Sequence, residues 1–96
     1  MAPRPVAQRV VVHGHVQGVY FRAATRQQAR RHGVAGWVRN RADGTVEVWL
    51  EGDADAVESV EAWIHAGGPP SAEVVRVEVE PGEALGAHGF EVRDDA

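Results

Sequence analysis

Asp43-Gly44 sits between two extended runs, residues 35–41 and 45–51, and this hairpin signal constrains the fold more than any other stretch. Both residue types tolerate the positive φ of tight turns, so the runs on either side are expected to pair antiparallel. The second run alternates clearly. Val46, Val48 and Leu50 fall on one face and Glu47, Trp49 and Glu51 on the other, the pattern of a sheet with one buried side.

The flanks supply the rest of the layout. Residues 6–13 read as a first strand, with Val10 and Val12 on one face and Arg9, Val11 and His13 on the other. A glycine-containing loop, 14–20, leads into a helix from Phe21, with Phe21, Ala24, Gln28 and Ala29 on one side and Gly33 as C-cap. After the hairpin, Asp53 is placed as N-cap of a second helix with Asp55 in its first turn. Its stripe of Ala56, Val57, Val60, Trp63 and Ile64 ends at Gly67-Gly68-Pro69-Pro70. Residues 72–80 form a fourth strand with Val75, Val77 and Val79 inward, broken by Pro81-Gly82. A short last strand at 89–93 carries Phe90 and Val92. The order β-α-β-β-α-β predicts an α+β, ferredoxin-like sandwich: an antiparallel sheet, two helices on one face, and one short extra C-terminal strand.

Ninety-six residues hold apolar surface for one core, so residues 6–93 are expected to form a single domain between a loose start, 1–5, and a short tail, 94–96. The start lacks the apolar stretch of a signal peptide, and nothing approaches the roughly 20 apolar residues of a membrane span. A cytoplasmic monomer without membrane attachment is the expectation. Absence of cysteine removes thiolate metal sites, and absence of lysine removes Schiff-base chemistry. With a formal net charge of −4, the chain is a poor general binder of nucleic acid.

Chemistry concentrates in Gly14-His15-Val16-Gln17-Gly18-Val19-Tyr20-Phe21-Arg22. A glycine-bracketed turn between strand and helix aims backbone N–H groups at one point, near the positive end of the helix dipole. Arg22, in the first helical turn, adds a planar cationic fork that matches phosphoryl oxygens. The split β-α-β topology runs the first and second strands in the same direction. Their carboxyl ends, with the loop on one and Arg39, Asn40 and Arg41 on the other, should therefore meet. Asn40 shares parity with Val38, which turns its side chain toward the helices.

These residues resemble the acylphosphatase family. Gly14 to Arg22 matches its G-x-V-Q-G-V-x-F-R motif, and Gly36-Trp37-Val38-Arg39-Asn40-Arg41-Ala42-Asp43-Gly44-Thr45-Val46 matches G-W-V-x-N-x-x-x-G-x-V. The resemblance implies hydrolysis of an acyl phosphate to a carboxylate and orthophosphate, with orthophosphate also a competitive ligand and no metal or other cofactor. It gives Arg22 the phosphoryl group to bind, Asn40 the attacking water to orient, and the backbone N–H groups of His15, Val16, Gln17, Gly18, Val19 and Tyr20 the cradle to complete. The chemistry agrees: the departing carboxylate is a weak base that needs no general acid, and a loose transition state is served by positioning and charge. An amide such as that of Asn40 accepts one hydrogen bond from water while donating another to substrate.

Other readings stand beside this one. A ferredoxin-like regulatory module could keep the cradle and bind a phosphorylated ligand without turnover. An RNA-binding module would need a basic, aromatic sheet face. His13 and His15, two apart, invite a metal reading only if the strand runs through Gly14, and no further ligand lies nearby in sequence. Asp43, Glu47 and Glu51 read as turn chemistry and a solvated strand face; Trp37, Trp49 and Trp63 read as packing.

Overall fold

The computed structural model describes residues 5–95. The loose start expected at 1–5 therefore lies outside the described residues except for Pro5, as does Ala96 of the tail. The elements are β1 (Val6–His15), α1 (Phe21–Arg31), β2 (Ala35–Asn40), β3 (Val46–Gly52), α2 (Ala54–His65), β4 (Glu73–Gly82) and β5 (Phe90–Val92). They form one five-stranded sheet in the order β4-β1-β3-β2-β5. The first four strands pair antiparallel, and the short extra strand β5 adds parallel to β2, making the sheet mixed.

Alternation decides which face is covered. Val10, Val48 and Val38 stand level across β1, β3 and β2, and the next row is Val12, Val46 and Asn40. The five valines are fully buried beneath Val57, Val60 and Ile64 of α2 and Phe21 and Ala29 of α1. Burying a valine or leucine side chain contributes about 1.5–3 kcal/mol, so this cross-strand layer is the main stabilising feature. Thr25 is also buried in α1, where its hydroxyl donates to the Phe21 carbonyl at 2.7 Å. That internal bond lets a polar residue occupy an apolar face.

Helix ends follow their glycines more than their acids. The N–H of Val34 donates to the Ala29 carbonyl and that of Gly33 to the Arg30 carbonyl, a Schellman closure with Gly33 at φ 69°. Asp53 occupies the N-cap of α2, but its side chain makes no capping bond there. Between β2 and β3 only Gly44 adopts positive φ. Asp43 instead acts through its carboxylate, which accepts from the N–H and hydroxyl of Thr45 at 3.0 and 2.6 Å.

Strand β4 departs from the sequence reading. It runs through Pro81 to Gly82, at an edge where proline removes no ladder bond. Its register with β1 slips by one between His13–Arg76 and Gly14–Val74, leaving Val75 as a bulge. Parity inverts there. Val74 and Val77 pack on the core, whereas Val75 is 75% exposed and Val79, level with Val10 on the edge strand, is 38% exposed. The bulge needs Gly14: a Cβ at that position would lie 2.1 Å from the Glu73 carbonyl oxygen. Strand β1 also continues two residues past its expected end, to His15.

The open face is not the solvated acidic face that Glu47 and Glu51 suggested. Both are buried, at 3% and 4% exposure. Glu47 lies between the guanidiniums of Arg9 and Arg39. Burial resists its ionisation, yet the two arginines outweigh it and hold the carboxyl below the usual carboxylate range. Glu51 accepts the N–H groups of Leu85, Gly86 and Ala87 at 2.9, 3.1 and 3.3 Å, together with the indole N–H of Trp49. Again burial opposes the charge and these donors overcome it. The face also carries Trp37 opposite Trp49, with Arg39 and Arg93 over the Trp37 ring at 5.0 and 4.9 Å. It is thus aromatic and arginine-rich, contrary to expectation. Arg9, Arg39 and Arg93 nevertheless stand within 4 Å of Glu47, Glu80 or Glu91, so there is little cationic surplus for a phosphate backbone.

Glu51 fastens the 83–89 connection that delivers β5, and this gives a pH dependence. With the folded-state pKa below the ordinary value of 4.5, the unfolded chain takes up the proton first as pH falls. The stabilisation is complete at neutral pH and is lost as pH drops through the ordinary range toward the folded value. Glu51→Gln should lower stability by about 1–3 kcal/mol at pH 7, the worth of hydrogen bonds to a buried charge. The gap from wild type should close between about pH 5 and 3 in urea titrations; a gap constant with pH would contradict this role.

Candidate active site

Two tethers set the shape of the loop at residues 16–20. The Gln17 amide donates to the carbonyls of Arg41 and Thr45 at 2.8 and 2.9 Å, and the Ser71 hydroxyl donates to the Val19 carbonyl at 2.7 Å. The side chains of Val16 and Val19 are buried in the core while Gly18 lies outside at φ 74°. Tyr20 closes the loop in the left-handed region, φ 64° and ψ 19°, as N-cap of α1. Left-handed backbone is unfavourable for a non-glycine residue, and such strain is found where a function fixes the backbone.

This arrangement leaves donors without acceptors. Among the described residues, the backbone N–H groups of Val16, Gln17, Gly18, Val19 and Tyr20 make no hydrogen bond to backbone or side-chain acceptors. They adjoin the first turn of α1, whose own N–H groups are unpaired by construction. Five such donors in succession beside a helix N-terminus have the chemistry that suits an anion. His15 stands apart from this group as the last residue of β1, paired in register with Glu73.

Arg22 sits in that first turn, where the helix dipole disfavours a cation, and the turn itself holds no acidic residue. Its Nη1 lies 3.3 Å from the Asp95 carboxylate, an exposed pair of the kind that contributes at most about 1 kcal/mol. Arg22 lines a cavity of about 420 Å³ with Val16, Gly18, Tyr20, Phe21, Ala23 and Val92. Asn40 is not part of that lining. It ends β2 in the row of Val12 and Val46, 7% exposed, its Oδ1 buried without a partner among the described residues. A buried acceptor left unmet costs about 1–3 kcal/mol; Gln8 Oε1 and Glu61 Oε1 share that condition.

The two regions expected to converge do so through Gln17, which bonds the loop to the residue following Asn40. Sequence reasoning gave Gln17 only a backbone role. Topology brought its loop to the end of β2, and only the carbonyls of Arg41 and Thr45 show where its amide goes. His13 meets Glu78 and His15 is exposed; among the described residues no three His, Asp or Glu side chains gather as a metal site would require. No helix among them is long and apolar enough to cross a membrane.

Comparison with known proteins settles the grouping. Residues 8–92 match the family model described as Acylphosphatase. The chain belongs to the acylphosphatase family. An acylphosphatase of Anaeromyxobacter dehalogenans is 52% identical, over 97% of this chain and 99% of its own. One from Acidovorax sp. is 51% identical over 93% and 91%. The crystal structure of acylphosphatase from Bacillus subtilis superposes with a TM-score of 0.87 at 36% identity, covering 92% of this chain and 98% of that one. Membership in the acylphosphatase family accords with the sandwich expected from the order of elements.

Proposed function

We propose that this chain hydrolyses acyl phosphates to a carboxylate and orthophosphate, with residues 6–93 acting as one unit. The observation that carries the reading is the run of five N–H groups at residues 16–20, without acceptors among the described residues, beside Arg22. The phosphoryl oxygens take the place of the Asp95 carboxylate on Arg22 and accept from the loop, His15 contributing at the strand end. Exchange of a weak surface pair for a multiply bonded anion is favourable. Asn40 accepts a hydrogen bond from water with Oδ1 and directs its oxygen at phosphorus. Charge that spreads onto the phosphoryl oxygens in the loose transition state meets fixed dipoles and a guanidinium, while the carboxylate leaves without protonation.

Relatives named acylphosphatase, at about half identity over nearly the whole chain, favour this over a module that only binds. Small acyl phosphates are the substrates and orthophosphate is a competing ligand. Arg22 and the amides supply the positive charge, so no metal is assigned a step. Phosphate release from benzoyl phosphate in the presence of a chelator tests the reading. Turnover is expected, and folded wild-type protein that releases no phosphate would overturn it.

A further inference from the structure

Tyr20 has an easier backbone conformation within reach. Opposite rotations about ψ of Val19 and φ of Tyr20 turn over the peptide that joins them, and carry Tyr20 from φ 64° to the negative side. With its ψ of 19°, that is the region used by turn residues of every type. The side chains of Val19 and Phe21, both buried, need not leave the core for this. In a planar trans peptide the N–H and the carbonyl point in opposite directions. The rotation would therefore put the Val19 carbonyl oxygen where the Tyr20 N–H now stands, and an oxygen there would repel an anion.

One bond opposes the rotation. The Ser71 hydroxyl donates to the Val19 carbonyl at 2.7 Å, while the Tyr20 N–H, on the opposite edge of the same peptide, has no acceptor among the described residues. Ser71 lies outside both sequence motifs, yet it is held from both sides. Upstream, the Gly68 N–H donates to the Trp63 carbonyl of α2 at 3.0 Å, and Gly68 lies so close to Phe21 that a Cβ would stand 2.5 Å from its ring. A turn over residues 69–72 follows, closed by the Ala72 N–H on the Pro69 carbonyl at 2.9 Å, with Pro70 at the position whose φ proline fixes. Downstream, Glu73 pairs with His15. Resting on the proposed hydrolysis, we infer that Ser71 is a positioning residue: its hydroxyl holds the peptide between Val19 and Tyr20 with the N–H toward the phosphoryl group and the carbonyl away from it. The left-handed conformation of Tyr20 is the strain that this bond maintains.

The test measures orthophosphate affinity and benzoyl phosphate turnover in Ser71→Ala and Ser71→Thr, each with and without Tyr20→Gly. Ser71→Ala should weaken orthophosphate binding about 3- to 10-fold, the effect of about one hydrogen bond. It should lower kcat/KM about 10- to 100-fold, because fixed donors act most strongly on charge developing in the transition state. Ser71→Thr keeps the hydroxyl and should restore both. Glycine takes either sign of φ without penalty, so in the Tyr20→Gly background Ser71→Ala should change orthophosphate affinity by no more than about twofold. A tether that served stability alone would lower the urea midpoint and leave affinity where it was. Ser71→Ala protein that binds orthophosphate like wild type, or that loses the same factor with and without Tyr20→Gly, would overturn the role. Orthophosphate binding needs no turnover, so this comparison stands or falls separately from the hydrolytic reading, which absence of phosphate release by the wild type would overturn.

Discussion

Arg22→Gln is expected to lower kcat/KM for benzoyl phosphate by about 10²–10³, the loss typical of one preorganised donor at developing charge. Orthophosphate binding should weaken in the same variant, because the guanidinium contact proposed for Arg22 acts in ground and transition states alike. Stability should hardly change. The side chain is partly exposed and its one ion pair is with exposed Asp95. Removing a cation from the first turn of α1 also relieves an unfavourable dipole interaction, so the unfolding midpoint should stay within about 0.5 kcal/mol of wild type or rise slightly. Retained activity in a folded variant would remove Arg22 from the mechanism.

The second large effect concerns stability and comes from the other motif. Gly36 lies in β2 at φ 139°, and a Cβ there would sit 1.8 Å from the Trp49 carbonyl oxygen and 2.7 Å from its carbon. Both are backbone atoms of β3, the adjacent strand in the middle of the sheet, and β5 holds β2 on its other side. Neither neighbour can withdraw without breaking a ladder. Gly36→Ala should therefore destabilise by about 3–5 kcal/mol, a large part of the 5–15 kcal/mol that maintains a domain. Gly44→Ala in the same motif provides the contrast: no atom stands within 4 Å of its Cβ position, so only the positive φ of 89° is penalised, at about 1 kcal/mol. Urea midpoints measure both. Equal losses would show that backbone conformation, and not strand contact, explains these glycines.

How far such features were legible depended on whether the physics was local. Alternation in residues 45–51 fixed the buried face, and the order of elements fixed which strand ends meet. Those steps brought the loop after β1 and the end of β2 to one edge of the sheet, where Gln17 joins them. The bulge at Val75 escaped because a run of valines has no local mark for the point where its partner, through Gly14, forces a slip. Alternation therefore put Val75 inward where Val74 belongs. Glu47 and Glu51 were misread for a related reason. Their donors come from Arg9, Arg39 and residues 85–87, and nothing near either glutamate in sequence announces a partner on another strand or a distant connection. Gln17 sat inside the recognised motif, yet its role as a tether required the carbonyls of Arg41 and Thr45 to be in place.

In the proposed mechanism labour is divided: residues 16–20 and Arg22 grip the phosphoryl group and Asn40 aims the water. Asn40→Ala tests it most directly when orthophosphate affinity and kcat are measured on the same protein. The division predicts an affinity within about threefold of wild type and a kcat lower by about 10²–10³. Loss of orthophosphate binding in step with kcat, or a kcat left near wild type, would contradict it.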